Sequence, residues 1–520
     1  MLKHGESRVL SAVLALVLLA ATTYGQAPAV PPGSVESEVA GIKAENAALR
    51  EQLRRVEEQQ KTLLELVNQL QQRLGPTTTT MAAEAPPVPK QGSSSATQVL
   101  EQSSSSKAPL PTSDQTADQP GRTYDENAQG ILLAKSSDSA KIPFRLNLWD
   151  TTQVRYTNTA LGNKSFTDHL GVVRPVTVRN DFSLNRNLFH FTGFIFDPRL
   201  RFNLITWVSN SSASIVIGGY VGWQFNKALS FQGGYWGAPG SRTLGGTFPY
   251  FATIDRSMAD NFFRPSFTQG IWIDGQPTKS LYYMVFVGDG LNTLAVPLSK
   301  TKTGLVTSAT VDWQPLGQYG PPGRAKGMYN DYENHQKPVI RLGTAFTRSR
   351  EDRFSNNQQT NPENNGLFNS DGVNTFDTGA FSRGVTVTDA TYRMWAVDAG
   401  VKWRGMAFNS QGFARWLDSF VADGPLPLSK TFDIGAEMVL GYFVVPKKFE
   451  VYERASFVYG QFRNSNEYGT GIRWYPVKTY RVWLMGEGLR TNRSPIQSAI
   501  GSYSTGYSGW EPLAQLMFTF

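Results

Sequence analysis

The sequence that decides the fold is Phe432-Asp-Ile-Gly-Ala-Glu-Met-Val-Leu-Gly-Tyr442. Every second residue from Phe432 to Tyr442 is apolar, whereas Asp433, Glu437 and two glycines occupy positions between them. Successive side chains of a β-strand point to opposite faces of the sheet. This period of two therefore predicts a strand with one apolar face and one polar face.

The same alternation recurs from residue 141 to the end of the chain. It predicts sixteen strands, at 144–157, 184–196, 199–208, 213–225, 228–236, 268–275, 279–288, 305–315, 338–348, 391–403, 405–417, 432–444, 449–460, 467–475, 480–489 and 511–520. Most connections alternate between short turns and long loops, and the long ones are 158–183, 237–267, 289–304, 349–390, 418–431 and 490–510. An even strand number with this asymmetry is typical of a transmembrane antiparallel β-barrel. The predicted fold class is therefore all-β, with a barrel of about sixteen strands over residues 141–520.

One connection departs from this pattern. Residues 316–337 should form a short turn, but they span a long segment. Either a helix lies at the rim of the barrel there, or the strand count is wrong by one hairpin.

The last strand carries a further signal at the end of the sequence. The chain ends in Leu516-Met-Phe-Thr-Phe520, in which Leu516, Phe518 and Phe520 share one face. Pairing of this strand with the first one would remove the open edge of the sheet. An aromatic residue ending an alternating strand resembles the signal that the barrel assembly machinery recognises in outer-membrane proteins. We therefore expect Phe518 and Phe520 to serve as an assembly signal.

The beginning of the chain is typical of an exported protein. Lys3 and Arg8 precede an apolar run at 9–21, and small residues follow near Gly25. This order of a charged region, a short apolar region and a cleavage zone predicts a signal peptide at 1–25. The alternative is an uncleaved anchor, but the run is short for a membrane-spanning helix.

Two further segments precede the predicted barrel. Residues 35–74 carry apolar residues at heptad spacing, with Asn46 and Gln60 at core positions, and this predicts an α-helical coiled coil in the periplasm. The alternative is a single helix that packs on its own barrel. Residues 75–140 are rich in Ser, Thr and Pro and nearly devoid of aromatic residues, which predicts a disordered linker.

Composition excludes several classes of protein. The chain has no cysteine, so disulfides cannot stabilise it, and no apolar run of twenty residues follows the signal peptide, which excludes a helical membrane protein. The net charge is +8, but lysine and arginine form no dense stripe, so we expect no nucleic-acid partner. The histidines beyond the signal peptide, His169, His190 and His335, lack a catalytic motif or metal-ligand spacing nearby. We therefore expect no enzyme, no metal and no cofactor.

The third outer loop of the predicted barrel, 237–267, is long and rich in glycine and aromatic residues. A loop of this length in a compact domain is usually functional, and this one can fold into the barrel. It carries three candidate constriction residues, Arg242, Arg256 and Arg264.

Part of this loop and the two strands after it resemble a known family. Thr253–Asn261, Gln269–Gly275 and Tyr283–Gly290 are similar to the inward loop and following strands of the phosphate-selective porin O and P family. The resemblance extends over residues 140–520. It implies a sixteen-stranded, trimeric porin with a channel lined by arginine and lysine.

The alternation of side chains between the two faces of each strand independently predicts which charged residues face the lumen. If the apolar column faces lipid, the inward cations are Arg145, Arg155, Arg201, Arg341, Lys402, Arg404 and Arg473, with Arg415 and Arg454 as further members. The inward acids on the same count are Asp312, Asp398 and Glu437. An excess of fixed cations would raise the concentration of anions in the pore.

Together these patterns predict an outer-membrane porin, a water-filled channel for passive diffusion of small solutes. We expect a preference for anions, with phosphate as the anion that the resemblance implies. We expect a homo-oligomer in contact with outer-membrane lipid, held together through the coiled coil and the barrel. The alternative is a structural anchor whose coiled coil tethers the membrane to the cell wall.

Overall fold

The barrel predicted from the alternating sequence is present. A computed structural model describes residues 130–520 except 138, 211–213, 248–249, 292–303, 321–327, 354–365, 478 and 499. Sixteen antiparallel strands form the wall: β2 (Phe144–Asn158), β6 (Asn180–Ile195), β7 (Asp197–Ser209), β8 (Ser214–Asn226), β9 (Leu229–Gly237), β10 (Phe267–Thr278), β11 (Leu281–Gly288), β12 (Val306–Trp313), β13 (Val339–Asp352), β14 (Val387–Trp403), β15 (Met406–Ala422), β16 (Lys430–Val445), β17 (Phe449–Tyr459), β18 (Asn464–Trp474), β19 (Val482–Asn492) and β20 (Gly509–Thr519). Each one overlaps one of the sixteen predicted strands. The predicted signal peptide and coiled coil lie outside the described residues.

The first and last strands of the wall close it. β2 pairs antiparallel with β20, from Thr151 opposite Thr519 to Thr157 opposite Leu513. Closure satisfies the backbone groups of both edges along this paired stretch.

A short strand that the sequence pattern did not predict extends the seam. β1 (Ile131–Lys135) pairs antiparallel with β2, with Ile131 opposite Leu148 and Lys135 opposite Arg145. The pairing of β20 with β2 stops at Thr519 opposite Thr151, and the Phe520 N–H donates to the carbonyl of Asp150 at 3.3 Å, so β20 does not pair with this part of β2. β1 covers the remaining edge. The sheet therefore begins at Ile131, within the segment 75–140 that was predicted to be a linker.

The two ends of the barrel differ in their connections. At one end, called here the short-turn end, turns of a few residues join β6 to β7, β8 to β9, β10 to β11, β14 to β15, β16 to β17 and β18 to β19. Longer connections predominate at the other end, called the long-loop end. Three small strands lie in the first of these: β3 (Leu161–Gly162), which pairs with β20, and β4 (Ser165–Thr167), which pairs with β5 (Val173–Pro175).

The irregular connection between β12 and β13 is explained by neither of the two expected alternatives. The strand count is correct, and the described parts of residues 314–338 contain no helix. Instead, Tyr319, Met328 and Tyr329 are buried. The described residues of this connection, 314–320 and 328–338, turn into the barrel from the short-turn end, and we call them the inner segment.

The alternation of the sequence becomes a difference between the two faces of the wall. In β16, Phe432 and Ile434 are 44% and 45% exposed, whereas Thr431 and Asp433 are 2% and 1% exposed. The outer face is thus apolar and uncovered, while the inner face is polar and packed against the contents of the barrel. Among the described residues, no helix has the length and apolar character required to cross a membrane.

Candidate pore constriction

The described residues of the long connection between β9 and β10, 238–266, lie inside the barrel, and we call this connection the inward loop. It contains a turn of π-helix at Thr243–Thr247 and a short helix, α1 (Met258–Phe263), all of whose residues are buried. The loop leaves the wall between its fifth and sixth strands and contacts strands on the far side, including β16 and β17. It therefore crosses the lumen.

The first turn of α1 is fixed by polar groups of the far wall. The Met258 N–H donates to a Glu467 carboxylate oxygen at 3.0 Å, and the Ala259 N–H donates to Ser456 Oγ at 2.9 Å. Ser257 caps the helix, because its hydroxyl accepts from the Asp260 N–H at 3.0 Å, and it also contacts Glu437. Helix N-terminal N–H groups have no partner within the helix, and a carboxylate satisfies them favourably.

Asp255 joins the inward loop to the first two strands of the wall. One of its carboxylate oxygens accepts from Arg155 at 2.6 Å and from Arg186 at 2.9 Å, and the other accepts from Arg186 at 3.1 Å. Burial opposes ionisation of this carboxyl, but the charges of Arg186 and Arg155 outweigh it and hold the pKa of Asp255 well below its usual range. The contact is therefore an ion pair at neutral pH.

Three further arginines of the far wall hold the inward loop, two through its backbone carbonyls and one through a side-chain hydroxyl. Arg473 donates to the carbonyl of Ala252 at 2.7 Å, Arg454 donates to Thr253 Oγ1 at 2.8 Å, and Arg415 donates to the carbonyl of Phe262 at 3.1 Å. Each of these arginines also pairs with a carboxylate of the wall. The pairs are Arg473 with Glu450 at 3.1 Å, Arg454 with Glu467 at 3.4 Å and Glu487 at 3.0 Å, and Arg415 with Asp433 at 2.8 Å.

The inner segment is held by a buried lysine. Lys402, on β14, is 1% exposed, and its ammonium group donates to the carbonyls of Tyr319 at 2.6 Å and Met328 at 2.8 Å. Asn330 donates to Glu450 and to the Tyr475 hydroxyl, both at 2.8 Å. The segment is thus tied to the wall by charged and amide groups rather than by strand pairing.

The inward loop and the inner segment meet at Arg242. Its guanidinium group lies over the ring of Tyr329, 3.8 Å from the ring centre, and donates to Asn409 Oδ1 at 2.8 Å. The same Asn409 oxygen accepts from the Tyr319 hydroxyl at 2.7 Å, and its amide donates to the carbonyl of Tyr329 at 3.0 Å. A segment from each end of the barrel therefore contributes to one constriction, which the cation–π contact stabilises.

A small cavity of about 20 Å³ adjoins this junction. Its lining includes Arg242, Phe251, Arg256, Tyr329, Gln411 and Glu437. Gln411 is 3% exposed, and neither atom of its amide has a hydrogen-bond partner within the described structure. The cavity combines cationic, anionic, amide and aromatic groups, and its volume has room for about one water molecule.

The predicted site residues occupy three different places. At or near the constriction lie Arg242, Arg256, Arg264, Arg155, Arg341, Lys402 and Arg473, all at most 5% exposed. Arg145 and Arg201 lie near the short-turn end, where they bond to Asn147 and to the carbonyl of Pro198. Arg404 is exposed in the turn between β14 and β15, with its guanidinium group over Trp403.

Carboxylates lie beside most of these cations. The alternation of side chains along the strands had predicted only a few of these carboxylates. Arg341 pairs with Asp312 at 2.6 Å and also contacts Asp398, and Arg256 pairs with Asp260 at 3.4 Å. The acids that the count missed are Asp255, Asp260, Asp433, Glu450, Glu467 and Glu487. These carboxylates offset the predicted excess of inward cations.

Comparison with known proteins gives matches of fold only. No family model matches the chain, and no curated protein matches it. The chain is similar to the outer-membrane expressed OmpT of Vibrio cholerae, with 10% identity, a TM-score of 0.46, and coverage of 74% of this chain and 100% of that one. It is also similar to an anion-selective porin from Comamonas acidovorans (11% identity, TM-score 0.44, coverage 72% and 100%). The corresponding values for the outer membrane channel DcaP of Acinetobacter baumannii are 10%, 0.41, 75% and 100%.

Proposed function

We propose that the chain is an outer-membrane porin, a water-filled channel for passive diffusion of small solutes. The proposal rests on one observation: a closed barrel with an apolar, uncovered outer face contains a loop that crosses its lumen and narrows it. A closed barrel is one of the few structures that can span a bilayer, because every strand satisfies its backbone groups within the sheet. An inward loop supplies the size limit that a diffusion channel needs.

We also propose a modest preference for anions, with phosphate as one candidate. Wall carboxylates balance many of the cations, so the total charge of the lumen does not support a strong preference. Selectivity depends on the charge at the narrowest point. Arg242 supports the anion preference, because it lies where the inward loop and the inner segment meet.

The test is the reversal potential of the purified full-length protein in a planar bilayer under a potassium chloride gradient. We expect a sign that indicates anion preference, and we expect Arg242→Gln to move the potential toward zero. Arg404→Gln is the matched control, because Arg404 is an exposed cation outside the constriction and should leave the potential unchanged. Cation preference in the unmodified channel, or equal shifts in both variants, would contradict the assignment.

A second candidate function is a structural anchor, and the dense packing of the lumen favours it. Phe263, Tyr392 and Arg415 are each fully buried inside the barrel. A folded barrel that carries no current at any voltage would support this alternative. In it, the predicted coiled coil at 35–74 would connect the membrane with the cell wall.

The same proposal includes the assembly of the chain. The signal peptide at 1–25 would direct export, the barrel assembly machinery would insert the barrel, and the coiled coil would lie in the periplasm. We propose a homo-oligomer, with three copies as the expected number. The coiled coil and the part of the linker before residue 130 lie outside the described residues, so these assignments rest on sequence.

A further inference from the structure

The outer face of the wall carries a group of arginines at one height, on two adjacent strands. Arg348 and Arg350 are on β13, and Arg393 is on β14, directly opposite Arg348 in the strand pairing. Their inward neighbours Thr347, Ser349 and Met394 are at most 1% exposed, so the three arginines point away from the lumen. Like charges directly opposite one another destabilise a sheet, so the pairing of Arg348 with Arg393 is unfavourable unless anions lie close to both.

The carboxylates near the group do not use all of its donors. Arg393 bonds to Asp418 at 2.5 Å, and Arg350 lies 3.9 Å from Asp389 and bonds to the carbonyl of Ser419 at 2.6 Å. The Arg348 side chain is exposed, and within the described ranges it has no ion-pair or hydrogen-bond partner. Three cations thus face two carboxylates, and each guanidinium group has five N–H donors.

The height of the group matches the edge of the apolar wall. Trp403 lies ten residues after Arg393 in the same strand, next to the turn at the short-turn end. Ten residues span roughly 33 Å along a strand, or about 25 Å along the barrel axis at a tilt of about 40°. That distance equals the height of the apolar band of a transmembrane barrel, so Arg348 and Arg393 lie at the level of lipid headgroups.

From the arginines toward the centre of the wall, the next outward-facing residues are apolar. Phe346 is opposite Trp395 in the strand pairing, one outward step nearer the centre of the wall, and these side chains are 44% and 51% exposed. The next outward pair is Thr344 with Val397. A lipid at this place would set its anionic headgroup against the arginine pair and its acyl chains against the aromatic pair.

We propose that Arg348, Arg350 and Arg393 form a binding site for the phosphate headgroup of a membrane lipid, whose acyl chain lies over Phe346 and Trp395. The inference rests on the membrane location proposed above. Guanidinium groups bind phosphate through paired, charge-assisted hydrogen bonds, and the bound phosphate would relieve the repulsion between Arg348 and Arg393.

The test is native mass spectrometry of the folded full-length protein in detergent, with phosphatidic acid and phosphatidylcholine of identical acyl chains. We expect about tenfold preferential retention of phosphatidic acid, the ratio that one additional charge-assisted hydrogen bond provides. The double variant Arg348→Gln/Arg393→Gln should reduce this ratio to near one. Arg490→Gln is the matched control, because Arg490 is a single exposed, outward-facing arginine on β19.

Several outcomes would overturn the proposal. They are an unchanged ratio in the double variant, an equal loss in the Arg490→Gln control, and displacement of the lipid by inorganic phosphate. If the double variant does not fold, Arg348→Gln alone should lower the ratio about threefold, because within the described residues the Arg348 side chain has no ion pair or hydrogen bond whose loss would affect folding. Lipid retention is measured without current, so a barrel that does not conduct would contradict the porin function and leave this test intact.

Discussion

Asp255→Asn is expected to release the inward loop from strands β2 and β6 without unfolding the barrel. The substitution removes the negative charge that Arg155 and Arg186 share, and the side chains of both arginines are 1% exposed. Breaking a buried ion pair by removing one partner costs about 3–5 kcal/mol, because the other charge remains buried. At about 1.4 kcal/mol per tenfold, the equilibrium between docked and released loop should shift by at least roughly 100-fold.

The same contact has a defined dependence on pH. Burial raises and the two arginines lower the pKa of Asp255, and the net result is a pKa well below the usual value of about 3.9. The contribution to docking is therefore fully present above that usual value and is lost only as pH falls through the lowered pKa. If the protein conducts as proposed, titration of this contact between pH 7 and pH 4 should leave the conductance of the unmodified protein unchanged.

Single-channel recording in planar bilayers measures the effect directly. We expect Asp255→Asn to give larger and noisier current steps, and limited proteolysis should cut the loop between residues 238 and 266. Asp197→Asn is the control, because Asp197 also pairs with an arginine, Arg199 at 2.8 Å, but lies at the exposed short-turn end. If both variants give currents and cleavage patterns like those of the unmodified protein, Asp255 does not hold the loop.

Three other predictions concern the inner segment, the seam and the oligomer. Lys402→Met removes the donor to the carbonyls of the inner segment, so it should increase current noise. Lys448→Met, in a short turn, is the control and should not increase it. Equal noise in the two variants would show that Lys402 does not hold the inner segment. Deletion of Phe520 should lower the amount of heat-modifiable barrel in outer-membrane fractions, and normal amounts after both this deletion and Phe518→Ser would show that the last strand is not an assembly signal. The isolated peptide 35–74 should form a defined oligomer on crosslinking, and an unfolded monomer at high concentration would contradict the coiled coil.

Most of the fold could be predicted because a barrel strand encodes its own two faces. All sixteen wall strands alternate strongly enough to be located from sequence, with errors confined to their ends. β1 was missed because Ile131-Leu-Leu-Ala-Lys135 has no alternation and pairs with only one neighbour. Its position depends on which part of β2 is left unpaired by β20, and the local sequence of β1 does not encode that.

The candidate site could be predicted less completely, because it depends on register and on contacts between distant residues. Arg186 escaped the parity argument because an irregularity in the pairing of β6 with β2 places both Asn185 and Arg186 among the buried residues. The acids of the inward loop could not be assigned to a face, because a loop has no period. The constriction residues Tyr319, Tyr329 and Asn409 become adjacent only when the inner segment folds into the barrel.

The place of β1 at the seam has a mechanical consequence. The strand is joined to β2 by a hairpin at the short-turn end, so its free end, Ile131, lies higher in the wall than Lys135. Traction on the preceding chain toward the short-turn end would load one pair of hydrogen bonds at a time, starting at Ile131, rather than all of them in parallel. β1 would therefore separate from β2 at low force and add its length to the preceding linker, while the pairing of β2 with β20 remained unstrained. A barrel built in this way can yield to a pull on its N-terminal extension without opening its wall.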